Sequence, residues 1–274
     1  MRLTRRTHLK SLGLTAGALL APSLRALEKR RLQRIGLQLY TVRDLMAKDV
    51  AATLAAVAQA GYVEVETAGT GNLSPAQFAV ALGNTGLSAP AAHVPLNLMV
   101  ESPEAILEVA ETVGYQFIVL PWIAPEQRTP EGYSQVIQVL NTFGEQCRDA
   151  GMQLCYHNHD FEFAMLGGEL AYDLMLRECD AELVQFELDL YWATHAGVDA
   201  RSYLQAAPER FPLCHVKDRT ATGEMVSVGQ GEIDFSALFA AGSGLQHYFV
   251  EHDRPQDSLA SVQYSIETLQ KLRY

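Results

Sequence analysis

Eight short apolar runs recur along the chain at regular intervals, and this regularity limits the fold more than any other feature of the sequence. Their starts lie 26 to 35 residues apart, the length of a β-strand followed by a helix and two loops. Eight such units close into a (β/α)8 barrel, for which about 250 residues is the usual size. The predicted strands are 35–40, 62–66, 88–93, 117–121, 152–157, 183–189, 211–216 and 246–251.

The segments between these runs have the pattern of helices. Residues 51–60 are followed by Gly61 and residues 133–150 by Gly151, and glycine is the residue type that most often follows a helix. An open, doubly wound α/β sheet would show the same alternation. The first turn, residues 38–43, however, lacks the GxGxxG pattern of such sheets. We therefore predict a single closed α/β TIM barrel over residues 35–274.

The N-terminus is typical of an export signal. Arg5 and Arg6 precede a nine-residue apolar run at 12–20 and resemble the twin-arginine signal, which sends folded proteins across the bacterial inner membrane. The run is too short to span about 30 Å of hydrocarbon. We expect removal of residues 1–26, with residues 27–34 forming a lead-in, and a mature periplasmic protein that has no membrane anchor.

Charge and cysteine content exclude several classes of function. The full chain carries a formal charge of −11, and residues 1–26 contain five basic and no acidic residues, so the mature chain carries −16. Such a charge repels phosphate backbones and argues against a nucleic-acid partner. The four cysteines lack CxxC spacing, so we predict no zinc ribbon, redox pair or disulfide framework.

Four consecutive predicted strands end on polar side chains that can bind metal. In a barrel of this kind the carboxyl ends of the strands meet at one mouth, where the active site lies. Strands five to eight supply His157, Asp189, His215 and Glu251, with His159 left open as the alternative ligand of strand five. Two imidazoles and two carboxylates suit Mn, Co, Fe or Zn better than calcium. We predict one divalent metal at this mouth, of unknown identity.

Longer motifs stand at 156–163, 187–192, 215–218, 228–235 and 249–253. Together they resemble one known family, the xylose-isomerase-like TIM barrels of sugar phosphate isomerases and epimerases. The resemblance covers about residues 35 to 272 and implies a small-molecule sugar substrate. In that family Glu, Asp, His and Glu from strands five to eight commonly hold the metal. Asp189, His215 and Glu251 match, whereas His157 stands where the family has glutamate.

The resemblance also implies a mechanism. In epimerases and isomerases of the family two glutamates move a proton to and from the carbon beside a carbonyl, while the metal stabilises the enediolate. Here only Glu251 of that pair is present, so His159 or Lys217 would have to supply the second proton transfer. A lyase or dehydratase reaction on a keto-sugar or 3-keto-glycoside, which needs one base, is the alternative.

Further polar and aromatic residues are predicted near the mouth. Glu66, His93 and Trp122 follow strands two to four, and Asn158 follows His157, so we predict that they contact the substrate. The glycines of the Val-Gly-Gln-Gly loop at 228–231 permit a tight turn, and a role in cradling phosphate stays open. Because basic residues are few near the mouth, we favour an unphosphorylated substrate.

The sequence opposes two other classes of function. The endonuclease branch of the same superfamily uses three metals on abasic DNA, but the charge of −16, the export signal and the shortage of further ligands oppose it. A non-catalytic barrel that binds a sugar for an exported oxidoreductase is the second, and the match at Asp189, His215 and Glu251 opposes it. A homo-oligomer remains open.

Overall fold

The predicted α/β TIM barrel is confirmed by the computed structural model, which describes residues 30–274. The predicted export signal at 1–26 and the start of the lead-in at 27–34 lie outside the described residues. Eight parallel strands form the closed barrel, and the first pairs with the last. They are β1 Gly36–Gln38, β2 Glu64–Thr67, β3 Ser88–His93, β4 Phe117–Leu120, β5 Gln153–His157, β6 Val184–Asp189, β7 Leu213–Val216 and β8 His247–Val250.

Helices surround the barrel. In the described residues they are α1 Arg43–Met46, α2 Val50–Ala60, α3 Pro75–Thr85, α4 Leu96–Glu101, α5 Pro103–Val113, α6 Pro130–Asp149, α7 Ala171–Glu178, α8 Leu190–His195, α9 Ala200–Ala206, α10 Phe235–Ala241 and α11 Ser258–Lys271. Short 3-10 turns span Leu39–Val42, Pro125–Gln127, Phe161–Phe163 and Pro208–Arg210. Two antiparallel ribbons pair Met165–Leu166 with Glu169–Leu170, and Asp218–Arg219 with Met225–Val226. Within residues 30–274, none of the helices is long and apolar enough to cross a membrane.

The two helices predicted in detail are both present. Helix α2 ends before Gly61, whose φ of 109° is a backbone conformation that glycine adopts without strain. Helix α6 begins at Pro130, three residues earlier than predicted. Thr129 accepts a hydrogen bond from the backbone of Gly132, and a proline at the first helical position needs no hydrogen-bond partner for its nitrogen.

Separate apolar clusters fill the inside and the outside of the barrel. The interior cluster contains Ala91, Phe117, Val119, Cys155, Leu213 and Phe249, and a larger one lies between strands and helices. Gly36 makes room for Phe249, because a Cβ at this position would lie 2.3 Å from the ring. All four cysteines are buried free thiols. The filled interior leaves the carboxyl ends of the strands as the mouth at which a site can form.

Candidate metal centre

The four predicted metal ligands meet at the mouth of the barrel. His157 and Asp189 are the last residues of β5 and β6, His215 lies near the end of β7, and Glu251 follows β8 directly. All four are buried, and one potential ligand atom from each lies within 4.8 Å of the others. This buried cluster of imidazoles and carboxylates could therefore bind a metal ion.

His157 is oriented by the strand next to its own. Its Nδ1 lies 3.1 Å from the carbonyl oxygen of Pro121 and donates to it, so Nε2 faces Asp189 Oδ2 at 3.2 Å. Burial, and then repulsion from His215 and Lys217, lowers the pKa of His157 well below its usual value. A neutral ring with its Nε2 lone pair turned to the cluster is the form that binds metal.

Asn158 positions Asp189 and does not line the cavity. Its Oδ1 accepts a hydrogen bond from the backbone of Asp189 at 3.0 Å, and the residue is fully buried. Asp189 Oδ1 caps α8 by accepting from the backbone of Trp192, which turns Oδ2 to the cluster. Asn158 was predicted to contact the substrate. The structure instead shows its side-chain amide buried and hydrogen-bonded to the backbone of Asp189.

A second layer of polar residues lies deeper in the barrel. Glu66 Oε2 is 2.7 Å from His215 Nε2 and 3.2 Å from His93 Nε2, and it accepts from Gln38 at 2.7 Å. Glu187 Oε2 lies 3.0 Å from His93 Nε2 and 3.2 Å from His215 Nε2. These two glutamates, with His93 and His215, form a second group that could hold a metal.

Glu66 was predicted to contact the substrate, but the structure places it outside the cavity lining and fully buried. Burial opposes its ionisation, yet attraction to His93 and His215 and hydrogen bonds with both rings together outweigh that effect and lower the pKa of Glu66. Burial likewise opposes the charging of His93, but its attraction to Glu66 and Glu187 and the hydrogen bonds with both carboxylates raise the pKa of His93 to about 9. Glu66 is therefore a buried anion that faces His215 and not the solvent.

Lys217 is a buried cation at the edge of the cluster. Its Nζ lies 2.6 Å from Glu251 Oε2, 3.0 Å from Asp189 Oδ2 and 2.9 Å from Asp253 Oδ1. Burial alone would lower the pKa of Lys217, but attraction to Asp189 and Glu251 raises it well above the usual value. Lys217 is consequently a proton donor in this arrangement and not a base.

His159 lies beside the cluster without being part of it. Its ring stacks on Phe161, and its Nδ1 is buried with no hydrogen-bond partner among the described residues. Burial, and then repulsion from His157, lowers the pKa of His159. The geometry therefore favours His157 over His159 as the ligand from β5 and leaves His159 a neutral ring.

A cavity of about 1190 Å³ opens above the cluster. Of the predicted site residues, those that line it are His93, Trp122, His157, His159, Lys217 and Glu251. Trp122 is 45% exposed at the rim, where it can stack on a sugar ring. The charged residues in the lining, Lys217, Glu251, Asp253 and Arg254, all follow or end β7 and β8.

The backbone nitrogens of the glycine loop after β7 donate hydrogen bonds to a side chain of the protein itself. Asp218 Oδ2 accepts from the backbone nitrogens of Gly229 and Gly231 at 2.8 and 3.0 Å, and Oδ1 accepts from that of Ile233 at 3.2 Å. A Cβ on Gly231 would lie 2.2 Å from Asp218 Oδ1. These donors are occupied by a carboxylate, so the loop offers no cradle for a phosphate group.

Neither Glu187 nor Glu162 was predicted to belong to the site. Glu187 lies two residues before Asp189 on β6, so the period-two alternation of a strand places both on the inner face. Glu162 accepts hydrogen bonds from the Tyr156 hydroxyl and from the backbone of His159. Its signal was a carboxylate five residues beyond His157, but nothing in the sequence shows that it turns back to the strand.

The sequence of this chain matches a known family, and its fold matches solved structures. A sequence profile described as "Xylose isomerase-like TIM barrel" matches residues 54–241. No curated protein matches the chain. Among solved structures, two sugar phosphate isomerase/epimerases from Parabacteroides distasonis ATCC 8503 both align with TM-scores of 0.77. One is 23% identical and the alignment covers 93% of this chain and 98% of that one; the other is 26% identical, with 87% and 98% covered.

A third similar structure carries a metal. The IOLI protein, solved with a zinc atom, is 18% identical and aligns with a TM-score of 0.68, covering 86% of this chain and 96% of that one. At this identity the likeness extends to the fold alone.

Proposed function

Because this chain belongs to the xylose isomerase-like TIM barrel family, we propose that it is a divalent-metal-dependent isomerase or epimerase of a keto-sugar or polyol. The reaction is an enediolate-type proton transfer beside a carbonyl. One observation carries the proposal: the ligand atoms of His157, Asp189, His215 and Glu251 lie within 4.8 Å of one another, and two of these residues line a cavity large enough for a sugar.

The donor set fits a metal ion. It combines two nitrogens and two carboxylate oxygens, a set suited to Mn, Co, Fe or Zn. His215 Nδ1 is buried and makes no hydrogen bond among the described residues, although Glu251 Oε2 is 2.9 Å away, which supports a ligand role for this nitrogen. A bound divalent ion would polarise the substrate carbonyl and offset the negative charge that develops on its oxygen.

Glu251 is the base in this proposal. Its contacts with Lys217 Nζ and His215 Nδ1 both use Oε2, which leaves Oε1 for a proton from the substrate carbon. Glu251 is 6% exposed and lines the cavity. Attraction to Lys217 and His215 outweighs its burial and lowers the pKa of Glu251, so its carboxylate is ionised.

The second proton transfer belongs to Lys217 or His159, which both line the cavity. Lys217 is a protonated donor 2.6 Å from Glu251, and it can return a proton to carbon or oxygen. His159 is a neutral ring whose Nδ1 has no partner among residues 30–274, and its lowered pKa makes it the weaker candidate of the two. With Lys217 as the donor, the two transfers come from different groups, as an epimerisation requires.

A lyase or dehydratase is the second candidate. It is favoured by His157, which occupies the strand-five position where a second carboxylate would serve a two-carboxylate epimerisation. If His157 binds metal, its lone pair is used and it cannot be a base. Elimination beside a ketone needs one base, for which Glu251 suffices, and Lys217 would protonate the leaving oxygen.

We place the reaction in the periplasm on the basis of the sequence at residues 1–26. An unphosphorylated substrate is consistent with a cavity lining in which Lys217 and Arg254 are the basic residues, and in which Lys217 is already paired with carboxylates. The alternative outside enzyme function is that the protein binds a sugar for an exported oxidoreductase and catalyses no reaction itself.

The proposal is tested by elemental analysis of the purified protein together with solvent-deuterium exchange followed by NMR on a panel of keto-sugars. We expect about one divalent metal per chain and deuterium on the carbon beside the carbonyl. The product then separates an epimerase from a lyase. His215→Gln serves as the matched variant, since it should lose both metal and exchange. Absence of metal after reconstitution, or exchange that persists in His215→Gln, would contradict the proposal.

A further inference from the structure

The cavity is larger than a monosaccharide needs. Pockets of roughly 300–1,000 Å³ hold drug-sized ligands, whereas this cavity measures about 1190 Å³. It extends away from the metal-ligand cluster into the space between strands β2 to β4 and helices α4 and α5. Most of the residues that line the cavity therefore lie on these elements and not in the metal-ligand cluster.

We call this extension the side chamber, and its lining is apolar. Ile118 lies on the outer face of β4, since its neighbours Phe117 and Val119 fill the barrel interior. Ile118 is fully buried, and Ile106 is 9% exposed. The residues that define the side chamber are Val94, Leu98, Ile106, Val109, Tyr115 and Ile118.

The polar groups of this region do not form a second charged site. Thr67 Oγ1 donates to the Tyr115 hydroxyl at 2.9 Å, and burial raises the pKa of Tyr115, so the phenol stays neutral. The charged residues of the cavity lining lie instead at the ends of β7 and β8. The cavity thus has a charged, imidazole-rich end at the cluster and an apolar end in the side chamber.

Such a division suits a ligand of mixed chemistry. A sugar presents hydroxyl groups that need hydrogen-bond partners, and burying them against isoleucine, leucine and valine would leave them unpaired at a cost. An aromatic or alkyl group gains free energy in the same surroundings. A free sugar or polyol would use only the cluster end.

We infer that the substrate is a sugar derivative with an apolar aglycone, such as an aryl or alkyl group, which occupies the side chamber while the sugar lies at the metal-ligand cluster. This inference rests on the proposed function for the position of the sugar. It adds that the apolar group contributes to recognition, because the side chamber offers it a buried apolar surface.

The test compares matched pairs of probes by calorimetric titration. Methyl and phenyl β-glycosides of glucose, galactose, mannose and xylose differ only in the aglycone. For the metal-loaded protein we expect the phenyl member of at least one pair to bind roughly tenfold to a hundredfold more tightly, the effect expected from burying an aromatic ring. Val109→Trp should fill the side chamber and bring the ratio of the two dissociation constants near one.

Glu108→Trp is the control, because Glu108 is exposed on the same helix and does not line the cavity. It should keep the preference for the phenyl glycoside, and the metal content of both variants reports whether the barrel is intact. Equal binding of methyl and phenyl glycosides, including no binding of either, would overturn the inference, as would a preference that survives in Val109→Trp. The proposed function fails separately, through absence of metal and of deuterium exchange.

Discussion

His215 Nε2 lies 2.7 Å from Glu66 Oε2, and this contact determines which nitrogen of the ring faces the metal-ligand cluster. A carboxylate only accepts hydrogen bonds, so Nε2 carries a proton and donates it to Glu66. Nδ1 then points to Glu251 at 2.9 Å and to Asp189 at 3.7 Å. Carboxylates in this position fix the orientation of a metal-binding histidine and make it more basic.

Glu66→Gln should therefore weaken metal binding by roughly 10- to 100-fold, because an amide holds the His215 ring less firmly and no longer supports it with charge. Metal affinity measured by competition with a chromophoric chelator checks this. Glu64→Gln is the control: Glu64 is also buried on β2 but pairs with Arg34 and His247, away from the cluster. Equal losses in the two variants would mean that Glu66 acts only through stability.

Lys217→Met should destabilise the metal-free protein by about 3–5 kcal/mol, since it leaves the buried carboxylates Asp189 and Glu251 without their cation. A divalent ion replaces that charge. We therefore expect saturating metal to raise the melting temperature of Lys217→Met by more than that of the wild type. Thermal unfolding with metal and with a chelator measures both shifts. An equal response in the two proteins would show that Lys217 and the ion do not share these carboxylates.

The sequence allowed the strands and the cluster at the mouth to be predicted, because both depend on local pattern. All eight predicted runs overlap an observed strand, and strand ends bring His157, Asp189 and His215 together through the topology of the barrel. The depth at which a side chain lies in the barrel could not be predicted in this way. Glu66 was placed near the mouth, yet it is fully buried and faces His215, 149 residues away along the chain.

Contacts made by loops were also beyond prediction. Asp218 was recognised only as part of a motif, and the structure shows that it binds backbone nitrogens 11 to 15 residues further along. Such a contact depends on the path of the whole loop. The side chamber likewise arises from the packing of α4 and α5 on β3 and β4, and no local pattern marks it.

Glu162 should make stability depend on pH. It is fully buried, and burial raises the pKa of its carboxyl from 4.5 to about 7. The folded state therefore holds a proton that the unfolded chain releases above pH 4.5. The stabilisation is complete below pH 4.5 and is lost as the pH rises through 7. In Glu162→Gln this loss is absent.

Between pH 5 and 8 the difference in unfolding free energy between Glu162→Gln and the wild type should move by about 2 to 3 kcal/mol in favour of the variant. Urea unfolding at a series of pH values measures the difference. Glu182→Gln, a change at an exposed carboxylate, is the control for the loss of charge and should show little such trend. A constant difference across this range would contradict a raised pKa for Glu162.

Glu251→Gln separates a catalyst from a sugar-binding protein. The amide keeps an oxygen that can face the cluster, but it cannot accept a proton from carbon. We expect deuterium exchange to fall by about 10²- to 10⁴-fold, the usual contribution of a general base. Because Glu251 is also a predicted ligand, the assay is run at saturating metal with the metal content measured. Glycoside binding should persist under these conditions.

Unchanged exchange in a metal-loaded Glu251→Gln would remove Glu251 as the base, whereas binding without turnover in the wild type itself would favour a sugar-binding partner.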